Sequence, residues 1–245
     1  MVHKSPPQRI RPKIKRSAPR PEETKPDRTN PDQPRRGRPR AYDPEAALAR
    51  ATATFWDAGY AATSLDDLSA ATGMNRPSLY AAFGNKHALY ALALACYRIM
   101  LQETLQAALE SEAALRPALI NAYRAALEIF CAGPAAPRGC FIIGTALTEA
   151  VQDPKIRQAL LNDLSTWDEI FAARFRFART RGELGAKPDP ETLAGIAAAI
   201  LHSLAIRARA GEAPKMLEAI VESAADLICA AGRETKPGIL FGGTY

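Results

Sequence analysis

The chain has 245 residues, 47% of them hydrophobic and 24% charged, with a formal net charge of +6. That length allows one or two domains around a sizeable core, and no apolar run approaches the roughly 18 residues of a membrane-crossing helix. The basic N-terminus is not followed by the apolar segment of a secretory signal, and Cys96, Cys131, Cys140 and Cys229 lie too far apart for a disulfide framework, so the chain reads as cytoplasmic with reduced thiols.

The charge is unevenly distributed. Residues 1–40 hold 13 Lys or Arg against 4 Asp or Glu, so the other 205 residues are mildly acidic. The same 40 residues hold 9 of the 19 prolines and, beyond Val2, Ile10 and Ile14, almost no large apolar side chain. Such a segment cannot bury enough surface to offset its ordering entropy and reads as a disordered basic arm. The partner of a cationic arm is an anion, nucleic acid or a membrane surface. No apolar helical face accompanies these charges, which argues against the membrane.

Beyond the arm the pattern is helical throughout. Asp43 and Pro44 read as the cap and first residue of a helix with Leu48, Thr52, Phe55 and Trp56 on one face, ending near Gly59. Thr63 or Ser64 caps a short second helix carrying Leu65, Leu68 and Ala71, with Asp66 and Asp67 in its first turn. A third short helix follows Asn75, and a long fourth shows Leu89, Leu92, Ala93, Cys96, Ile99 and Met100 on one stripe. Further helices span about 115–131, 140–151, 154–181, 190–210 and 214–231, bounded by Pro and Gly. No stretch alternates with period two over five or more residues. The fold class is therefore all-α, with about nine helices and no internal repeat. Residues 233–245 read as a flexible tail.

The stretch from Thr63 to Phe83 reads as helix, glycine turn, helix. Gly73 supplies the turn, Met74 points back into the gap, Asn75 caps the next helix and Pro77 lies in its first turn. Leu79 and Phe83 share the buried face, leaving Arg76, Ser78, Tyr80 and Ala81 on other faces. This is the helix-turn-helix pattern, whose second helix enters a major groove.

The match is closer than the generic motif. Phe55, Gly59, Tyr60, Thr63, Leu65, Leu68, Gly73, Leu79, Tyr80, Phe83, Lys86 and Leu89 resemble the TetR family of bacterial transcriptional regulators across residues 43–98. The resemblance implies a DNA-binding domain over residues 41–88, followed by a helical ligand-binding and dimerisation domain over 89–232. It makes the Asn75–Phe83 helix the recognition helix. Arg76 is then the candidate for base readout, Asn75 and Ser78 for bases or phosphates, and Tyr80 and Lys86 for phosphates, with Thr63 and Ser64 near the backbone at the start of the second helix. His87 reads as a solvated residue of the fourth helix's first turn. In the arm, Arg36-Gly37-Arg38-Pro39 resembles an AT-hook core, so Arg36 and Arg38 are candidates for the minor groove.

By the same resemblance, the partners are double-stranded DNA with a palindromic operator, a second copy of the chain and an unknown small-molecule effector. The last two helices suit self-association through Leu193, Ile196, Ala197, Ile200 and Leu204 and through Leu217, Ile220, Val221, Ala224 and Ile228. Candidate effector-lining residues are Tyr97, Met100, Tyr123, Phe130, Cys140, Phe141, Trp167, Phe171 and His202. Cys140 is also a candidate sensor thiol if a helix N-terminus and Arg138 stabilise its thiolate. His3, His87 and His202 are scattered, and there is no H-E-x-x-H, P-loop or dinucleotide fingerprint, so neither metal, cofactor nor enzymatic chemistry is expected. The expectation is a ligand-released homodimeric repressor; the alternative is an architectural DNA-binding protein driven by its arm.

Overall fold

The computed structural model describes residues 43–231, apart from 113, 134, 135, 186 and 188. Nine α-helices and one π segment make up the architecture of these residues, with no strand among them: α1 Pro44–Ala58, α2 Leu65–Thr72, α3 Arg76–Phe83, α4 Lys86–Glu110, α5 Leu115–Cys131, the π segment Ile142–Ala146 leading into α6 Leu147–Glu149, α7 Pro154–Thr180, α8 Pro190–Arg209 and α9 Pro214–Ala231.

The helix starts follow from capping chemistry. The Asp43 carboxylate accepts from the Glu45 and Ala46 N–H groups. Ser64 and Asp67 form a reciprocal capping box. Asn75, Asn85, Asp153 and Asp189 cap α3, α4, α7 and α8 in the same way. Each side-chain oxygen satisfies an N–H that the helix leaves unpaired.

The burial pattern of α4 departs from the expected stripe. The buried residues are Leu89, Tyr90, Ala93, Leu94, Tyr97, Leu101, Leu105 and Leu109. Leu92, Ile99 and Met100 are 42%, 52% and 41% exposed, and Cys96 is exposed too. Apolar side chains surround the first half of this helix, so spacing alone left several faces open. The large aromatics decide between them. Tyr90 packs on Phe55 and Tyr60 at 5.2 and 4.8 Å between ring centroids, and Tyr97 packs on Trp56 at 4.9 Å and Phe141 at 5.7 Å. Burying two tyrosine rings outweighs burying Leu92 and Ile99.

The segment expected as one helix from 140 to 151 contains the π turn. Thr145 Oγ1 donates to the Phe141 carbonyl at 2.8 Å, so its single proton is committed and the Tyr90 hydroxyl must be the donor in the 2.8 Å contact between Tyr90 and Thr145. Burial pushes the Tyr90 phenol up to about 12. Just before the turn, Gly139 has φ +68°, and a Cβ there would meet the Ala205 carbonyl oxygen at 2.6 Å, so α8 approaches this corner too closely for any side chain.

Helices α8 and α9 bury much of the surface expected to face a second copy. Leu193, Ala197, Leu204, Leu217, Val221, Ala224 and Ile228 are core residues of their own chain. Arg116 and Arg124 of α5 clamp α9, with Arg116 on Glu222 and Asp226 and Arg124 on Glu218 and Glu222. The outward residues are Ile196, Ala199 and Ile206 on α8 and Met216, Ala219 and Leu227 on α9, again at helical spacing. Of these, Ile206 is 59% and Leu227 70% exposed. By length and composition α8 could span a membrane, but its buried Leu193, Ala194, Ala197, Ala198, Leu201, Leu204 and Ala205 make it a core helix.

Candidate nucleic-acid interface

Helices α2 and α3 meet at Gly73, which is left-handed at φ +70°. A side chain at that φ is strained even though the space beside the glycine is open. Leu68, Met74 and Leu79 are buried beneath the turn and fix α3 against α2. Pro77 stands in the first turn of α3, where no N–H is required. Gly84 ends α3 after eight residues, with its N–H on the Tyr80 carbonyl at 2.9 Å. The sequence therefore produces a short helix held from below and open above.

The expected contact residues differ in exposure and in how far their polar groups are already engaged. Arg76, Tyr80 and Ser64 are exposed, and Tyr80 is 47% open. Asn75 and Ser78 are partly committed: Asn75 Oδ1 accepts the Ser78 N–H at 2.9 Å, which leaves the Asn75 amide protons for a base or phosphate. Thr63 is buried, with its hydroxyl on the Gly59 carbonyl at 2.7 Å, so it braces the α1–α2 turn and is closed to a DNA contact. The Ser64 N–H is held by Asp67 Oδ2 at 2.8 Å, so a phosphate there would compete with the capping carboxylate. Lys86 lies with its ammonium 4.4 Å above the Tyr60 ring at the start of α4, which aims it rather than neutralising it. Arg36 and Arg38 lie outside the described residues.

Two contacts here were not anticipated. Arg76 forms a bidentate pair with Asp66 across the turn. His87, expected to be solvated, meets Asp153 at 2.6 Å and so ties the start of α4 to the cap of α7. The N–H of Ile156 and the His87 side chain both hold the Asp153 carboxyl below its ordinary range. Neither pair is visible in sequence, since the partners are 10 and 66 residues apart.

The chain is similar to known proteins along most of this length. Residues 47–93 match the family model described as bacterial regulatory proteins, tetR family, and residues 113–224 match the tetracyclin repressor-like C-terminal domain. The HTH-type transcriptional repressor ComR of Escherichia coli K12 is 31% identical over 170 residues, covering 69% of this chain and 81% of that protein. The chain belongs to the TetR family. The Bacillus subtilis regulator YezE, itself uncharacterised, is 27% identical over 154 residues, covering 62% of this chain and 79% of its own length. A solved structure of the TetR-family regulator CifR with a 26-base-pair operator aligns with a TM-score of 0.71 and 34% identity, covering 77% of this chain and 98% of CifR.

Most of the expected effector-lining residues of this TetR-family chain lie in its packed core. Tyr123, Phe130, Phe141, Trp167 and Phe171 are almost completely buried and fill the core, and Tyr97 joins them. Tyr123 also donates to the Ala197 carbonyl at 3.1 Å. Met100 faces outward, and His202 packs on Trp167 at 5.2 Å. The larger cavity, about 740 Å³, opens instead between α4 and α7 and is lined by residues such as Gln102, Gln106, Leu109, Ile170, Arg174 and Phe177. The physical reason is that big rings fill space, while a cavity persists beside residues that leave it open. Cys140 lines a smaller cavity of about 380 Å³ with Gly144, Ala205 and Arg209.

The Cys140 environment does not favour a thiolate. Complete burial pushes its thiol up, away from the reactive thiolate form. Arg138, expected to assist, is bound to Asp57 at 2.6 and 2.8 Å. Cys96 and Cys131 are exposed, whereas Cys140 and Cys229 are buried. Ellman titration of the native protein is therefore expected to modify two thiols, Cys96 and Cys131, and to reach all four only after unfolding. Rapid native modification of Cys140 would contradict this.

Among the described residues no cluster of His, Cys, Asp and Glu has the arrangement to hold a metal.

Proposed function

We propose that the chain is a homodimeric transcriptional repressor that binds an operator through α3 and is released by a small molecule bound in its helical body. One observation carries this reading: an eight-residue helix, fixed from below by Leu68, Met74 and Leu79, presents exposed Arg76 and Tyr80 at the N-terminal part of a TetR-family fold. The operator complex of CifR supports the assignment of that face to DNA. Dimerisation is supported by the outward apolar stripe of α8 and α9, because one short recognition helix reads few bases and two-fold symmetry doubles the site. The cavity between α4 and α7 supports the effector role, since an effector acts only by binding one arrangement of the helices more tightly than the other. The setting is the cytoplasm, and the role is regulatory rather than enzymatic.

The test is a gel shift on the DNA upstream of the chain's own gene, with unrelated DNA as competitor. Replacing Arg76→Ala and Tyr80→Phe together is expected to weaken binding to the site by roughly tenfold to a few hundredfold, since each removes a contact of about 1 kcal/mol or more. Sequence-independent binding that the pair leaves unchanged would remove α3 from the reading and favour an architectural protein working through its arm.

A further inference from the structure

Arg76 and Asp66 stand on opposite sides of the turn, with 54% and 74% of their side chains open to solvent. The geometry between them is closely defined. Arg76 Nε donates to Asp66 Oδ1 at 3.0 Å, and Nη2 donates to Oδ1 at 2.8 Å and Oδ2 at 2.7 Å. One edge of the guanidinium is thus held by the carboxylate. Exposed pairs of this kind contribute little to stability, and the buried Leu68, Met74 and Leu79 already join α2 to α3. What the pair fixes is the direction of a long, rotamer-rich side chain at the first residue of α3, the end of a recognition helix that meets base edges. The free edge, Nη1 with the second Nη2 proton, is the fork that fits guanine O6 and N7.

We propose that Asp66 is the specificity-determining partner of Arg76: it holds one guanidinium edge so that the other reads a guanine in each half-site. The proposal rests on the operator-binding reading above. Asp66 acts in two ways. It orders the fork before DNA arrives, so less freedom is lost on binding. It also places a negative charge beside the groove, which penalises placements where Arg76 leaves it for a phosphate oxygen. Affinity for wrong sites falls more than affinity for the right one. Adenine in place of guanine would turn an amino donor toward the arginine donors and break the match.

Full-length wild type, Asp66→Ala, Asp66→Asn and Arg76→Ala are each carried through selection from a randomised duplex library. Anisotropy titrations then compare the selected duplex, its single-base variants and a scrambled duplex. Wild type is expected to prefer one guanine per half-site by about 10- to 100-fold, and Arg76→Ala to lose that preference at that position. Both Asp66 variants are expected to drop it to about threefold or less while binding the scrambled duplex as tightly as wild type or more tightly. Undiminished guanine preference in both Asp66 variants overturns the proposal. So does tighter binding of the selected duplex with unchanged preference, which would make the pair a latch. A wild-type protein with no base preference at any position overturns the operator-binding reading itself, a result distinct from a loss confined to one base.

Discussion

An Ile206→Glu, Leu227→Glu protein is expected to sediment as a monomer and to bind operator DNA at least about 100-fold more weakly than wild type, because each half-site then acts alone. The two side chains are 59% and 70% exposed in the isolated chain, so neither substitution disturbs its core. The inner faces of α8 and α9 stay anchored by Leu204, Val221 and Ile228, and by the Arg116 and Arg124 clamps from α5. Two glutamates on each copy would bring four carboxylates into one desolvated interface, which opposes association by several kcal/mol. Analytical ultracentrifugation checks the assembly, and a native-like far-UV circular dichroism spectrum with a cooperative melt checks that the chain remains folded, since loss of the dimer by itself lowers Tm. A dimer that survives both glutamates would shift the interface to another apolar surface, of which the exposed Leu92 and Ile99 face of α4 is the next candidate.

Removing residues 1–40 is expected to lower operator affinity by about 100-fold at physiological salt and to flatten the salt dependence of log K by several units, with base preference retained. The charge distribution makes the effect large. Residues 41–88 hold only Arg50, Arg76 and Lys86 against Asp43, Glu45, Asp57, Asp66 and Asp67, so the helix-turn-helix region is itself acidic. Arg76 is moreover engaged with Asp66. On the proposed reading, counterion release comes largely from the 13 Lys and Arg of the arm. Anisotropy titrations of both proteins across a salt series, on operator and scrambled duplexes, measure slope and preference together. Complete loss of binding with no residual preference would favour the architectural reading. An unchanged slope would leave the arm without an electrostatic role.

The helix-turn-helix was legible in sequence because its signals are local. Asp43, Ser64, Asn75 and Asn85 each cap a helix from within three residues, and Gly73 and Gly84 mark its breaks. Charge was legible as a total but not as pairs: Asp66 looked like a favourable first-turn acid, and nothing in the spacing revealed that it holds Arg76. Thr63 looked like a possible surface cap until the chain closed over it. In α4 the apolar residues leave several faces eligible, and the choice is made by Trp56 and Phe141, which lie far from Tyr97 in sequence. The candidate effector-lining residues, most of them buried, illustrate a related point. A buried aromatic and a cavity-lining aromatic are the same letter in a sequence, and packing alone separates them.

The boundary expected between residues 88 and 89 has no counterpart in the packing. Phe55 of α1, Tyr90 and Tyr97 of α4 and Phe141 ahead of the π turn belong to one continuous hydrophobic cluster. His87 and Asp153 add a polar rivet across the same seam. The reading head is therefore not a detachable cassette. It borrows its floor from the helical body, so a graft of the first three helices onto another scaffold would leave Phe55 without its partner Tyr90. The same shared floor makes any repacking around Phe141 a mechanical input to the helices above it, with no flexible joint to absorb it.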